Sequence, residues 1–207
     1  MRNSHGLGIS ILSAFLIFAS NLGAQEQAPA PVYNEGDIWI FKVTEHMSAE
    51  STAGLDGDYK VIYRGGKFIV AFPQGEKPQT RQDLGQVKSM LDEPNDKKQL
   101  LQFPLAIGKV WAAAFETDSK ASSKPIRWSG ETKVTGTEQI TTPAGTFRAF
   151  KIERYETGRK DKKRGGDERA TYTYYYSPKV RGIVKFSYER DSGATRTVEL
   201  IKYVSAR

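Results

Sequence analysis

From residue 33 onward, apolar and polar positions alternate in short runs, and glycine or proline breaks each run. A period of two is the mark of a half-buried β-strand, whose successive side chains point to opposite faces of a sheet. Strands are predicted at about 37–46, 58–64, 67–72, 84–91, 109–117, 126–140, 146–157, 169–177, 182–190 and 195–204. In the third from last, Tyr172, Tyr174 and Tyr176 share a face opposite Thr171, Thr173 and Tyr175. Val184, Phe186 and Tyr188 do the same in the next strand, and in the last one Glu199, Ile201 and Tyr203 alternate with Val198, Leu200 and Lys202. A face with this many rings must be covered, either by curling the sheet or by packing a second one on it. The fold class expected is therefore all-β: an antiparallel, strongly curved sheet forming a half-barrel or a small barrel. At most one short helix is expected, over Arg81–Met90, where Gly85 weakens the pattern.

The turns between runs carry their own chemistry. Gly65-Gly66 tolerates the positive φ that a tight hairpin needs. Thr142-Pro143-Ala144-Gly145-Thr146 places proline where φ is fixed and glycine where a left-handed residue closes the loop. Ser177-Pro178 through Gly182 and Arg190-Asp191-Ser192-Gly193 supply two more reversals, so the last four strands are expected to form an antiparallel meander.

One pattern recurs. Gly36-Asp37-Ile38-Trp39 and Gly108-Lys109-Val110-Trp111 each join glycine, a charged residue, a β-branched residue and tryptophan, and each opens a predicted strand. This echo implies two related halves. Each tryptophan either plugs one end of the curved sheet or faces a ligand, and the same choice holds for Trp128.

Ahead of the domain, Arg2 precedes an apolar run from Leu7 to Ala19 and a small-residue exit ending at Ala24, the succession of a secretory signal peptide. The run is shorter than the roughly 20 residues of a spanning helix. The organisation expected is a signal peptide over 1–24, an extended linker over 25–32 with its Ala-Pro-Ala-Pro stretch, and a single β domain over 33–207. No cysteine stands at the exit, so the mature chain is expected unlipidated, in the periplasm or outside the cell.

Composition removes several chemistries. The chain has no cysteine, which excludes disulfides, thiolate metal sites and a cysteine nucleophile. Beyond the signal peptide His46 is the only histidine, and neither an H-E-x-x-H pattern nor the downstream ligands of a calcium loop after Asp56-Gly57-Asp58 are present. No metal or cofactor is expected. Paired carboxylates on distant strands leave no local spacing, so a small hydrolase built on acidic residues stays open as the alternative. Residues 1–24 hold one basic residue and no acidic one, so the whole-chain surplus of +7 becomes six positive charges. Its densest stretch contains Arg159, Lys160, Lys162, Lys163 and Arg164, a candidate anion-binding hairpin tip that could touch an anionic membrane surface weakly. The aromatic candidates for a ligand face are Trp39, Trp111, Trp128, Tyr172, Tyr174 and Tyr176. The function expected is a non-enzymatic envelope module that holds an apolar or glycan-like ligand, or a partner protein, on a concave aromatic sheet. No nucleic acid is expected behind a secretion signal.

Phe103-Pro104-Leu105, Gly108-Lys109-Val110-Trp111, Thr142-Pro143-Ala144-Gly145-Thr146-Phe147 with Phe150-Lys151-Ile152, and Tyr174-Tyr175-Tyr176-Ser177-Pro178 with Gly182-Ile183-Val184-Lys185 resemble the pattern of a family of secreted Gram-negative β-domains of unknown function. The resemblance covers about half of the chain. It implies an envelope location and a sheet like that of the lipoprotein carriers LolA and LolB, and it brings no catalytic residue with it.

N-terminal sequencing of the exported protein is expected to begin at Gln25 or within a few residues of it. A start at Met1 would remove the signal-peptide assignment.

Overall fold

The computed structural model of the chain describes residues 26–46, 57–71, 101–119, 122–159 and 167–206. The predicted strand at 84–91, the helix window Arg81–Met90, the signal peptide and the basic residues Lys160, Lys162, Lys163 and Arg164 lie outside the described residues; of Arg159 only the backbone lies within them.

Among the described residues there are eleven strands: β1 (Gln27–Ala28), β2 (Ile38–His46), β3 (Gly57–Arg64), β4 (Lys67–Ala71), β5 (Leu105–Ala106), β6 (Val110–Ser119), β7 (Ser122–Thr142), β8 (Gly145–Arg159), β9 (Glu168–Ser177), β10 (Gly182–Arg190) and β11 (Thr195–Val204). Nine of them form one antiparallel sheet in the order β4-β3-β2-β11-β10-β9-β8-β7-β6, and β1 pairs with β5 in a separate two-stranded ribbon. The last four strands form the expected meander. β4 and β6 stand at opposite edges, so the sheet is open and the closed small barrel among the expectations is not formed. The sheet nevertheless curls strongly. The N–H of Ala144, in the β7–β8 turn, donates to the carbonyl of Leu200 in β11 at 3.2 Å, although three strands separate β7 from β11.

Two bulges redirect side chains. In β10 the register shifts between Ile183 and Lys185, and in β11 between Leu200 and Lys202. An extra residue changes which face the following side chains take. Ile183 thus joins Val184 and Phe186 in the core, and Tyr203 stands on the face of Val198 and Leu200 instead of opposite them. Strict alternation across these positions fails for this reason.

The repeated motif is reproduced atom for atom in its turns. Gly36 and Gly108 have φ of 88° and 85°. Gly36 N donates to Tyr63 O at 2.8 Å and Gly108 N to Val134 O at 2.8 Å; Tyr63 N donates to Asp37 O and Val134 N to Lys109 O, each at 2.9 Å. Even the charged residue has an equivalent task with the sign reversed. The Asp37 carboxylate accepts from Asn34 N at 2.8 Å, whereas Lys109 Nζ donates to the Pro104 carbonyl at 2.9 Å, so each holds the chain that leads into its own turn. The triads β4-β3-β2 and β8-β7-β6 run in the same order along the sheet.

These turns lie at one end of the sheet, the base, together with the β3–β4, β7–β8 and β9–β10 connections. The base is packed solid. Trp39 is fully buried against Tyr33, Phe68 and Tyr203, and its indole N–H donates to the Val180 carbonyl at 2.7 Å. Tyr176 packs edge-on to Phe103. The segment expected as a linker is extended, but its first residues are docked: Ala28 is fully buried, and Glu26 pairs with Arg148.

Arg181, the one non-glycine residue of positive φ among those described, ties the base together. Its guanidinium donates to Asp37 Oδ1 at 3.1 Å, to the Val32 carbonyl at 2.8 Å, to the Tyr203 hydroxyl at 2.6 Å and to Ser205 Oγ at 2.8 Å. Asp37 is inaccessible to solvent and also accepts from Ala206 N at 3.0 Å. Arg181→Gly keeps the left-handed backbone without steric cost and removes the side chain with its guanidinium. Breaking a buried ion pair from one side should cost about 3–5 kcal/mol. Chemical denaturation should show that loss for Arg181→Gly and a smaller further loss when Asp37→Ala is added to it.

Candidate functional site

The strand register carries the inner face of the sheet as a set of rows whose character changes from base to mouth. One row, Val134, Ile152, Tyr174, Phe186, Val198 and Val43, is buried in every member and belongs to the core. The next row towards the mouth reads Trp111, Thr132, Arg154, Tyr172, Tyr188 and Arg196 across β6 to β11, and continues to the backbone of Glu45 in β2. Beyond it stand Gly130, Glu156, Ala170 and Arg190. Within one step along the strands the inner face changes from hydrocarbon to charge.

The sequence sets this up through parity. In β8, Phe150, Ile152, Arg154 and Glu156 follow one another at intervals of two, so the same period that buries Ile152 turns Arg154 and Glu156 inward. Both are almost inaccessible, and they form an ion pair. Burying two charges is tolerated when each satisfies the other. The Tyr172 phenol stands beside the Glu156 carboxylate.

Rings and guanidinium groups interleave across the mouth. The guanidinium of Arg190 lies 5.5 Å from the centroids of both Trp128 and Tyr188, and Arg196 lies 5.4 Å from Tyr188, so Tyr188 has a cation near its ring from two strands. Tyr172 and Tyr174 stack with their planes 5° apart, and Tyr174 stacks on Phe186 at 4.7 Å. Trp128 lies directly on Gly158, where a Cβ would come within 2.8 Å of the indole, so no larger residue fits beneath it. Arg190 also meets Glu168 at 3.6 Å.

The structure divides the six aromatic candidates. Trp39, Tyr176, Tyr174 and Trp111 belong to the core cluster, Trp111 at its mouth-side end, and Trp39 has its indole N–H satisfied within it. Trp111 and Trp128 are each 6% exposed, on the β6–β7 wing of the mouth. Tyr172 is half-buried at the rim, beside Tyr188. Tyr188, Phe186, Thr132, Arg154, Glu156, Arg190 and Arg196 were not among the candidates. An inward-parity charged residue inside an otherwise apolar strand is the signal that finds Arg154 and Glu156. Arg190 and Arg196 flank a turn, and their inward aim follows only from the pairing of β10 with β9 and β11.

Burial, and then the Glu156 carboxylate beside it, push the Tyr172 phenol well above the ordinary tyrosine range, against the opposing pull of Arg190. Burial does the same for Tyr174. Among the described residues no group of three or more His, Cys, Asp or Glu could hold a metal ion, and no helix is long and apolar enough to cross a membrane.

No family model and no curated protein matches the chain. Among solved structures the chain is similar to a protein of Parabacteroides distasonis assigned as a lipoprotein, with 16% identity, 87% of this chain and 100% of that chain covered, and a TM-score of 0.46. It is also similar to a Bacteroides fragilis protein assigned as exported, with a YmcC-like fold (12% identity, 86% and 100% covered, TM-score 0.39). A third is the hypothetical lipoprotein YmcC of Escherichia coli (8% identity, 83% and 86% covered, TM-score 0.41).

The raised tyrosine values set a direction for alkaline stability. In the unfolded chain Tyr172 and Tyr174 ionise near pH 10, while the fold keeps them neutral to higher pH. Their contribution is intact below about pH 10 and is lost as pH rises beyond it. Ultraviolet titration should leave these two phenols out of the group ionising near pH 10. The Tyr172→Phe, Tyr174→Phe variant should lose less stability than the native chain over the same rise.

Proposed function

We propose that this protein is a non-catalytic module of the bacterial envelope that binds a glycan-like ligand at the mouth of its curved sheet. The observation that carries the reading is the half-buried pair Tyr172 and Tyr188, flat rings at the rim with arginine side chains beside them, on a face whose apolar end is already filled. A ring-shaped, hydroxylated molecule suits such a surface. Its apolar C–H face packs on the rings, and its hydroxyl groups meet guanidinium and phenol groups at the edge. A purely apolar chain suits it less, because the hydrocarbon rows below are occupied by the protein's own side chains.

Export follows from the signal-peptide pattern at the N-terminus, and an envelope location supplies abundant saccharide. The hydrolase alternative draws less support. The inner-face carboxylates Glu156 and Glu168 each stand against an arginine, Arg154 and Arg190, and act there as counter-ions.

Native mass spectrometry of the protein purified from its own host's envelope tests this. A hexose-based adduct is expected on the native chain and should be absent from Tyr188→Leu, which keeps apolar bulk but removes the flat ring. Recovery of the chain bound only to lipid or to another protein would overturn the reading.

A further inference from the structure

Two residues that each bury an unmatched polar atom are cross-strand neighbours on the β6–β7 wing of the mouth. Trp111 Nε1 and Thr132 Oγ1 have no hydrogen-bond partner among the described residues, and their residues are 6% and 0% exposed. They are direct cross-strand partners, which puts their Cβ atoms about 4.5–5.5 Å apart. A buried donor left unmatched is costly, and two adjacent ones are rarer than one. The equivalent tryptophan of the repeated motif shows the ordinary outcome, because Trp39 donates to the Val180 carbonyl. Thr132 is in turn the cross-strand partner of Arg154, so an indole N–H, a hydroxyl and a guanidinium occupy consecutive positions of one inward row.

Arg154 also meets the Glu156 carboxylate from the row beyond, but the three side chains of this row offer mainly donors. Indole N–H and guanidinium donate only, and the hydroxyl can donate as well. Such a set matches a group that accepts several hydrogen bonds and carries negative charge. We propose that Trp111, Thr132 and Arg154 form a subsite for a carboxylate, so that the ligand is an acidic saccharide whose ring packs on Tyr172 and Tyr188. This rests on the glycan reading above and adds the ligand's charge and the residues that read it. Tyr172 follows Arg154 in the same row, and at about 4.8 Å per strand it stands roughly 14 Å from Trp111, a span of two to three sugar units.

The test uses the indole N–H resonances of the three tryptophans in the full mature chain, assigned with Trp111→Phe and Trp128→Phe. Trigalacturonate and its fully methyl-esterified form are the probes. The acid is expected to shift the Trp111 indole resonance, and the neutral ester to leave it in place while both move Trp128. Thr132→Val should weaken the acid at least tenfold with no change for the ester, and it should not destabilise the unliganded protein, since it removes a hydroxyl that lacks a partner. Equal binding of acid and ester, with Trp111 unmoved, would overturn the carboxylate subsite and leave the glycan reading standing. If neither probe moves Trp128 or Trp111, the glycan reading itself falls and takes the subsite with it. A marked loss of stability in Thr132→Val would show that the hydroxyl is already satisfied, and would also overturn the assignment.

Discussion

Asp37 has no access to water, and everything at the base of the sheet is arranged around that fact. A carboxylate so placed must be matched by donors or left at a cost of several kcal/mol. Arg181 supplies one, and the backbone N–H groups of Asn34 and Ala206 supply two more. Those donors come from the entry to β2, from the β9–β10 turn and from the end of β11, three parts of the chain that are distant in sequence. The same guanidinium holds the Tyr203 hydroxyl, and the Tyr203 ring packs on Trp39. One buried charge thus fixes the tryptophan core of the base. It also explains why Arg181 accepts a left-handed backbone conformation that a side chain normally avoids.

Closing the base sets the character of the other end. Hydrocarbon and rings fill the inner face as far as the row of Val134, Ile152, Tyr174 and Phe186. The next row has arginines, tyrosines and a threonine in the same geometric position. No strand changes direction between the two rows. The change of chemistry comes only from which residue occupies each inward position, so core and candidate site are successive segments of the same strands.

The fold was legible because alternation, glycine turns and proline positions are local. The Gly36 and Gly108 turns, the Gly65-Gly66 hairpin and the final meander all follow from neighbours in sequence. The bulges in β10 and β11 were not legible, because an extra residue reveals itself only against a partner strand. Ile201 therefore appeared to continue the alternation that it interrupts. The site was legible in part for a similar reason. Aromatic residues announce themselves, and so Tyr172, Trp111 and Trp128 were candidates. The pairing that sets Trp111 beside Thr132 and Arg154 spans β6, β7 and β8, and the approach of Arg190 to Trp128 joins β10 to β7; neither can be read from any one segment. The docking of Ala28 was hidden as well, since a Pro-Ala stretch has the composition of a spacer whether or not it is pinned to a ribbon.

That pinned stretch gives the molecule an orientation. Glu26 is held by Arg148 near the start of β8, and the strand then runs to Arg159 at the mouth, a path of roughly 35 Å at about 3.3 Å per residue. Glu26 therefore stands on the base side, at the end of the sheet opposite the mouth. The ribbon of β1 and β5 thus belongs to the filled end of the sheet, and loosening it would disturb the core without touching the mouth.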